Sequence, residues 1–416
     1  MASRPSSGKT RRPVRRTTGD PYGLAAARPF LAPLLAFGGL VVVGLVTLSL
    51  LTGGIPFLPS RGGPGGGNGG PAAPGRTPSP SAPPVVNPDI AIAGRLVYAK
   101  AGNLWIQEGS ATRLLTATGR DSQPAWSADG TWVYFIETRR TRAKFPIQGI
   151  PVIYDLSYPI LTRIHPDGSG RQALLSGLYR TGPGGAYAWS FFIRDPAVAP
   201  DGTSVAVVSD GPAPLASDVV LGLVDVARKR LEPLGLSEMP PYGHQDPTWR
   251  PDGTYLLYVR NAREEGRGAP TIWRYDPATK KTSRLSQPGY TEPRYSPDGR
   301  YLVATRTSTL GTDIVVLDAR DGNELLRVTT DGLSWGGAWS PDGTQIAFLH
   351  LEGSTTDLSL ATITRGPNAN LAVAKVQPLT EFSGLDAASS PAWWGPRPAT
   401  APTPAATPAH AASGTP

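Results

Sequence analysis

The stretch "EPRYSPDGRYLVATR", residues 292–306, is written five times with small changes. The other copies are "QPAWSADGTWVYFIE" (123–137), "DPAVAPDGTSVAVVS" (195–209), "DPTWRPDGTYLLYVR" (246–260) and "GGAWSPDGTQIAFLH" (336–350). Each copy has one plan. A short strand ends on a large apolar residue (Trp126, Val198, Trp249, Tyr295, Trp339), a tight turn follows, and an apolar strand runs back. In "SPDG" the Pro presets φ near −65°, the Asp side chain caps the turn backbone, and the Gly takes positive φ. The Asp-Gly pairs begin at Asp129, Asp201, Asp252, Asp298 and Asp342, so the spacings are 72, 51, 46 and 44. A period in the forties with about four strands per period is the signature of propeller blades.

Both ends of the repeat region are incomplete in complementary ways. "SPAWWGP" (390–396) supplies the first strand of a unit, with Trp393, and stops. "GRLVYAKAGNLWIQEGSATRLLT", from 95, supplies the other three. Joined, they make a sixth blade and close the ring, which removes exposed sheet edges. The expected fold is all-β: a six-bladed propeller over 95–396, closed by pairing of the C-terminal strand with the first blade.

The flanks differ in kind. Residues 1–28 hold seven basic side chains against Asp20 and so carry six of the eight net positive charges. The repeat region is close to neutral, which argues against a nucleic-acid partner. Residues 29–51, "PFLAPLLAFGGLVVVGLVTLSLL", are 23 residues without a charge. About 20 apolar residues suffice for one transmembrane helix, and basic residues ahead of it place the N-terminus in the cytoplasm. The reading is a retained single-pass anchor. A Gly/Pro-rich disordered linker follows over 52–94, and a Pro/Ala/Thr tail closes the chain at 397–416. The propeller is then displayed outside the cytoplasmic membrane, as a monomer. There is no cysteine, so disulfides, thiolate metal sites and thiol nucleophiles are excluded.

The repeat "P-x-W-S-P-D-G" resembles that of TolB-type propellers over about 300 residues. Departures are Ala128 for Pro, Val198 and Ala199 in the second copy, and Gly337 for Pro. The resemblance implies a domain that holds proteins or peptides, or in some relatives glycans or ions.

Function is expected in what does not repeat. The residue before the repeat's Pro starts each inner strand at the channel mouth: Gln123, Asp195, Asp246, Glu292, Gly336 and Ser390. Asp195, Asp246 and Glu292 put acids on three adjacent blades, with His244 placed on the same rim. Such carboxylates receive a basic peptide, hold a hard cation such as Ca²⁺, or cap strand ends. No other cofactor is implied. Two loops lengthen the first period: 138–158 and 177–195. Their aromatics (Tyr154, Tyr158, Tyr179, Tyr187, Trp189, Phe191, Phe192) form a partner surface or pack on one another as a lid. "GLSWGG" (332–337) matches the Gly-x-Ser-x-Gly nucleophile motif at Ser334, but no α/β domain surrounds it, so Ser334 reads as a loop residue. The function expected is non-enzymatic binding of an envelope protein or peptide. The alternatives are glycan or ion sensing and, behind them, a hydrolase or lyase.

Overall fold

In a computed structural model, the structure describes residues 82–211, 219–234, 236, 243–261, 269–366 and 370–396. The expected anchor at 29–51, most of the linker and the C-terminal tail lie outside these residues. Among the described residues no helix is long and apolar enough to cross a membrane.

The strands in chain order group into blades. The first blade holds β1 (Ile92–Lys100), β2 (Asn103–Gly109) and β3 (Ala111–Leu114). The second holds β4 (Asp121–Trp126), β5 (Val133–Ile147), β6 (Ile150–Ile164) and β7 (Gln172–Ser176), followed by a small ribbon, β8 (Leu178–Thr181) and β9 (Tyr187–Ser190). The third holds β10 (Arg194–Val198), β11 (Ser204–Ser209), β12 (Val220–Asp225) and β13 (Arg230–Pro233). The fourth holds β14 (His244–Trp249), β15 (Leu256–Arg260), β16 (Thr271–Asp276) and β17 (Lys281–Arg284). The fifth holds β18 (Tyr290–Tyr295), β19 (Tyr301–Ser308), β20 (Gly311–Asp318) and β21 (Glu324–Arg327). The sixth holds β22 (Ser334–Trp339), β23 (Gln345–Glu352), β24 (Thr355–Arg365) and β25 (Leu371–Pro378), and β26 (Ala392–Trp394) returns to the first. Each of these six sheets has four antiparallel strands in sequence order, with β26 beside β1.

Closure runs through Arg95↔Trp394, Leu96↔Trp393 and Val97↔Ala392. The two tryptophans also bond across the seam, Trp393 Nε1 to the Ala93 carbonyl at 2.7 Å and Trp394 Nε1 to the Ala128 carbonyl at 3.0 Å. The Trp394 ring lies over the turn at Gly130, where an added Cβ would meet it at 2.2 Å and where φ is +70°. β1 begins three residues before the boundary expected at 95, because Ile90 and Ile92 are apolar and fill the gap between the last blade and the first.

The core is divided among six inter-blade clusters. In each, the large residue that ends the inner strand packs against the preceding blade: Trp393, Val198, Tyr295, Trp339, Trp126 and Trp249. The turn Asp residues do what their spacing requires. Asp129 Oδ1 accepts from Ser127 Oγ at 2.6 Å and from the Thr131 amide at 3.1 Å, and Asp342 repeats this with Ser340 and Thr344.

The segment 138–158 is not a loop. Residues Thr138 to Ile147 pair one by one with Pro159 back to Ile150, so β5 and β6 continue about ten residues past the blade, roughly 33 Å at strand rise. Gln148 (φ 50°) and Gly149 (φ 81°) make the two-residue turn, whose positive φ values match the strand twist. The other insertion folds as the β8–β9 ribbon, packed along this hairpin as far out as Phe145.

Candidate functional site

The channel mouth is built by one local distortion repeated around the ring. The register of five of the six inner strands slips by a bulge, between Ser122 and Ala125, Arg194 and Ala197, Gln245 and Thr248, Thr291 and Arg294, and Trp335 and Ala338, whereas β26 pairs without one. Inside each bulge the residue before the repeat's Pro has left-handed φ: Gln123 54°, Asp195 53°, Asp246 53°, Glu292 51° and Gly336 66°. Proline has no N–H, so it occupies the unpaired bulge position without wasting a donor. A non-glycine residue there costs on the order of 1 kcal/mol or more. What holds it is a relay between blades. The Asp195 amide donates to Gln123 Oε1 at 3.0 Å. The Asp246 amide donates to Asp195, the Glu292 amide to Asp246 Oδ2 at 3.0 Å, and the Gly336 amide to Glu292 Oε2 at 3.0 Å. Ser389, one residue before the expected Ser390, closes the relay by accepting from the Gln123 amide at 2.7 Å. Ser390 instead donates to Glu292 Oε1 at 2.8 Å.

The relay takes up part of the acids' capacity to accept. The acids share one cavity, but their oxygens face backbone amides and hydroxyls. Among the described residues no three His, Asp or Glu side chains group as metal ligands.

The mouth is a cavity of about 220 Å³ lined by Gln123, Arg194, Asp195, Asp246, Glu292 and Arg294 among others. Burial raises the pKa of Asp246 most, and the charges of Asp195 and Glu292 add to it, bringing it to about 8 against the pull of Arg294. Asp195 is also pushed up, first by burial, with Arg194 and Arg294 opposing and Glu292 adding. Arg294 was not singled out from the sequence. Its column, two residues after the acids, reads Ala125, Ala197, Thr248, Arg294, Ala338 and Ala392. A lone cation in a column of small channel-facing residues was the available signal. Arg294 also lines the second cavity of about 280 Å³, on the turn side of the channel, with Trp126, Trp249, Tyr295, Trp339 and Trp394.

The remaining expected site residues separate. His244 is fully buried, not at the rim. Its Nδ1 accepts from the Leu221 amide at 3.2 Å and its ring lies 4.7 Å from Tyr258. Burial first, and Arg260 second, lower its pKa to about 4, so it is neutral at physiological pH. The strand pairing of β14 carries it into the blade interface, two residues before the bulge turns Asp246 to the channel. Phe191 is likewise a core residue between the second and third blades, whereas its neighbour Phe192 is 57% exposed. Tyr154 donates its hydroxyl to the Ala188 carbonyl at 2.7 Å. Trp189 packs 5.9 Å from Tyr154 and 5.0 Å from Phe145, and Tyr187 lies 6.5 Å from Phe145. Tyr179 sits partly buried on the same inter-blade cluster as Phe191, and Tyr158 pairs with Arg139 within the hairpin. These aromatics therefore brace the hairpin against β8–β9, and only Phe192 offers an open face.

Ser334 is not a loop residue but the first residue of β22, fully buried. Its cross-strand partner is His350, with Ser334 Oγ 3.1 Å from His350 Nδ1 and Asp331 Oδ2 3.7 Å from that same nitrogen. A hydrolase relay needs the base to face the nucleophile with one ring nitrogen and the acid with the other. Here one nitrogen faces both.

No protein-family model and no curated protein matches the sequence. Solved structures do. TolB from Acinetobacter baumannii is 18% identical with a TM-score of 0.51, over 72% of this chain and 66% of that one. A putative TolB from Agrobacterium tumefaciens is 16% identical, TM-score 0.44, over 70% and 91%. An oligogalacturonate lyase in complex with manganese is 18% identical, TM-score 0.43, over 65% and 75%. This chain thus spans slightly under two thirds of the Acinetobacter protein. At these identities the likeness carries the fold alone, and that fold is a TolB-like β-propeller.

Proposed function

We propose that this chain is a non-enzymatic binding module, displayed on the outer side of a membrane by residues 29–51, which takes a protein or peptide partner at the channel mouth. The observation that carries the reading is the strained acidic column. Asp195, Asp246 and Glu292 are held in left-handed backbone around one cavity, with the carboxyls of Asp195 and Asp246 pushed upward. Strain of this kind concentrates where ligands are held. A lysine, arginine or amino-terminal group of a partner relieves the like-charge repulsion as it enters past Arg194, which lines the cavity.

The test is crosslinking of the full-length protein in its own membranes, with mass spectrometry of what is captured. The comparison protein carries Asp195→Asn, Asp246→Asn and Phe192→Ala. A partner captured by the wild type and lost in a variant at least as stable is the expected result. Equal capture by both removes this face as the site.

One observation favours a second reading, a hydrolase at Ser334, namely the 3.1 Å contact with His350. Full burial of Ser334 speaks for a structural role, since a nucleophile must reach its substrate. Ester hydrolysis by the wild type that Ser334→Ala abolishes would establish the hydrolase.

A further inference from the structure

The hairpin formed by β5 and β6 beyond the blade is the largest feature that the binding reading leaves unused. Its tip is apolar and open: Ile147 is 53% exposed, Ile150 69%, Val152 38% and Ile153 61%. Below the tip, alternate residues on the outward side of β5 are Arg140, Arg142 and Lys144, all exposed. No ion pair to these three occurs among the described residues, and the acid of that side is Asp155, opposite Arg142. The inward side carries Ala143, packed with Leu156, Ala188, Tyr154 and Leu178. The hairpin is therefore a braced arm with an apolar end and a cationic collar.

Its direction is set by the blade plan. β5 and β6 leave the propeller on the face where inner strands begin, which is the face of the acidic mouth. Of the other exposed large apolar side chains among the described residues, Phe192 57%, Leu310 88%, Leu333 41% and Phe382 78% lie in segments at that end of the blades, while Leu325 and Val376 lie on the outer strands β21 and β25. The chain also enters there. The Val85 amide donates to Ser383 Oγ at 2.9 Å, Val86 bridges Thr380, and Lys100 Nζ reaches the Pro83 carbonyl at 3.4 Å. Residues 52–81 connect this entry point to the uncharged run at 29–51.

We propose that the tip of the β5–β6 hairpin docks into the surface of an anionic bilayer, the same membrane that the chain's apolar run enters. Apolar side chains enter the interface while lysine and arginine meet anionic headgroups, the combination that holds amphipathic elements on membranes. With the arm set on the bilayer, the channel mouth faces a cleft between propeller and membrane. The proposal rests on the anchored reading only for the tether, since the arm's own chemistry selects the surface.

The chain lacks cysteine, so single cysteines can be labelled cleanly. Full-length protein carrying Ile150→Cys, Ala278→Cys or Val42→Cys is labelled with an environment-sensitive fluorophore. Each is reconstituted in vesicles of phosphatidylcholine alone or with 30% phosphatidylglycerol, with and without spin-labelled quencher lipid. Ala278 lies on a turn of the opposite face, between β16 and β17. The expected result is a blue shift and quenching at position 150 in anionic vesicles, and none at 278. Arg140→Gln, Arg142→Gln and Lys144→Gln together, or 0.5 M salt, reduce the quenching at 150 by half or more. A label at 150 as unquenched as that at 278 overturns the proposal, as does quenching indifferent to both lipid charge and the triple substitution. Shielding at 150 in native membranes but not in lipid vesicles also overturns it, because the arm then meets a protein. Position 42 separates the two readings: quenching there without quenching at 150 sinks the arm alone. Quenching at 150 without quenching at 42 sinks the anchor and keeps the arm.

Discussion

Asp246 shows how one residue reports both the fold and the site. Its left-handed backbone turns the carboxylate to the channel, where burial and two neighbouring acids raise its pKa to about 8. In the unfolded chain an aspartate titrates near 3.9. Between these values the folded state binds a proton that the unfolded state does not, so this group's contribution to stability falls as pH rises from about 4 through about 8. Asp246→Asn cannot ionise, yet it keeps an oxygen for the Glu292 amide. Its melting temperature should match the wild type near pH 4 and exceed it increasingly up to pH 9. A constant difference across that range would show that the carboxylate is under no such pressure. Arg294 is the counter-charge that holds this value down, so Arg294→Met should carry the wild-type loss to higher pH.

At the scale of elements, the arm depends on a charged knot at its base. Arg171 reaches Asp121 at 2.8 Å and Glu137 at 2.9 Å, and Arg139 holds Glu137 at 2.7 Å. Asp121 and Glu137 are almost fully buried. Burial works against the charge of Glu137, but Arg139 and Arg171 outweigh it and hold the carboxyl below its usual value. Removing one partner of a buried pair typically costs about 3–5 kcal/mol, because the other charge is left uncompensated. Arg171→Met should therefore lower stability by about 3 kcal/mol, read as a shift of the urea midpoint at unchanged slope. A shift under about 1 kcal/mol would mean that Arg139 and Arg120 suffice. The knot's folded-state support is present above the ordinary glutamate range and is lost as pH drops through Glu137's lowered value.

For the whole molecule the critical element is the three-residue strand β26. It supplies the first strand of the first blade, and its Trp394 covers the Gly130 turn of the second. Ending the chain at residue 390 should open the ring. Amides of Arg95 to Val97 should lose hydrogen-exchange protection, and stability should fall by about 3 kcal/mol or more, the scale of a tryptophan lost from a packed site. Gly130→Ala should cost less, about 2 kcal/mol, through its positive φ and the Trp394 ring. Unchanged protection in the shortened chain would place the closure elsewhere.

The repeat made the architecture legible because strand, turn and wedge are local chemistry. "SPDG" dictates its own turn, a period in the forties dictates blades, and the orphan "SPAWW" dictates the seam. The acidic column was legible too, since its place before each proline follows from the same period. What the letters left open were matters of contact between segments distant in the chain. His244 and Asp246 stand two residues apart, and only the bulge between them sends one into the interface and the other to the channel. Tyr154, Tyr187 and Trp189 read either as a partner surface or as a packed lid, and their packing against Phe145 and Ala188 makes them the brace of an arm. The arm itself was written in the alternation of Arg140, Arg142 and Lys144 with Thr141, Ala143 and Phe145, a strand pattern hidden in a stretch long enough to look like a loop. Burial and charge balance depend on which blades meet, and that depends on closing the ring.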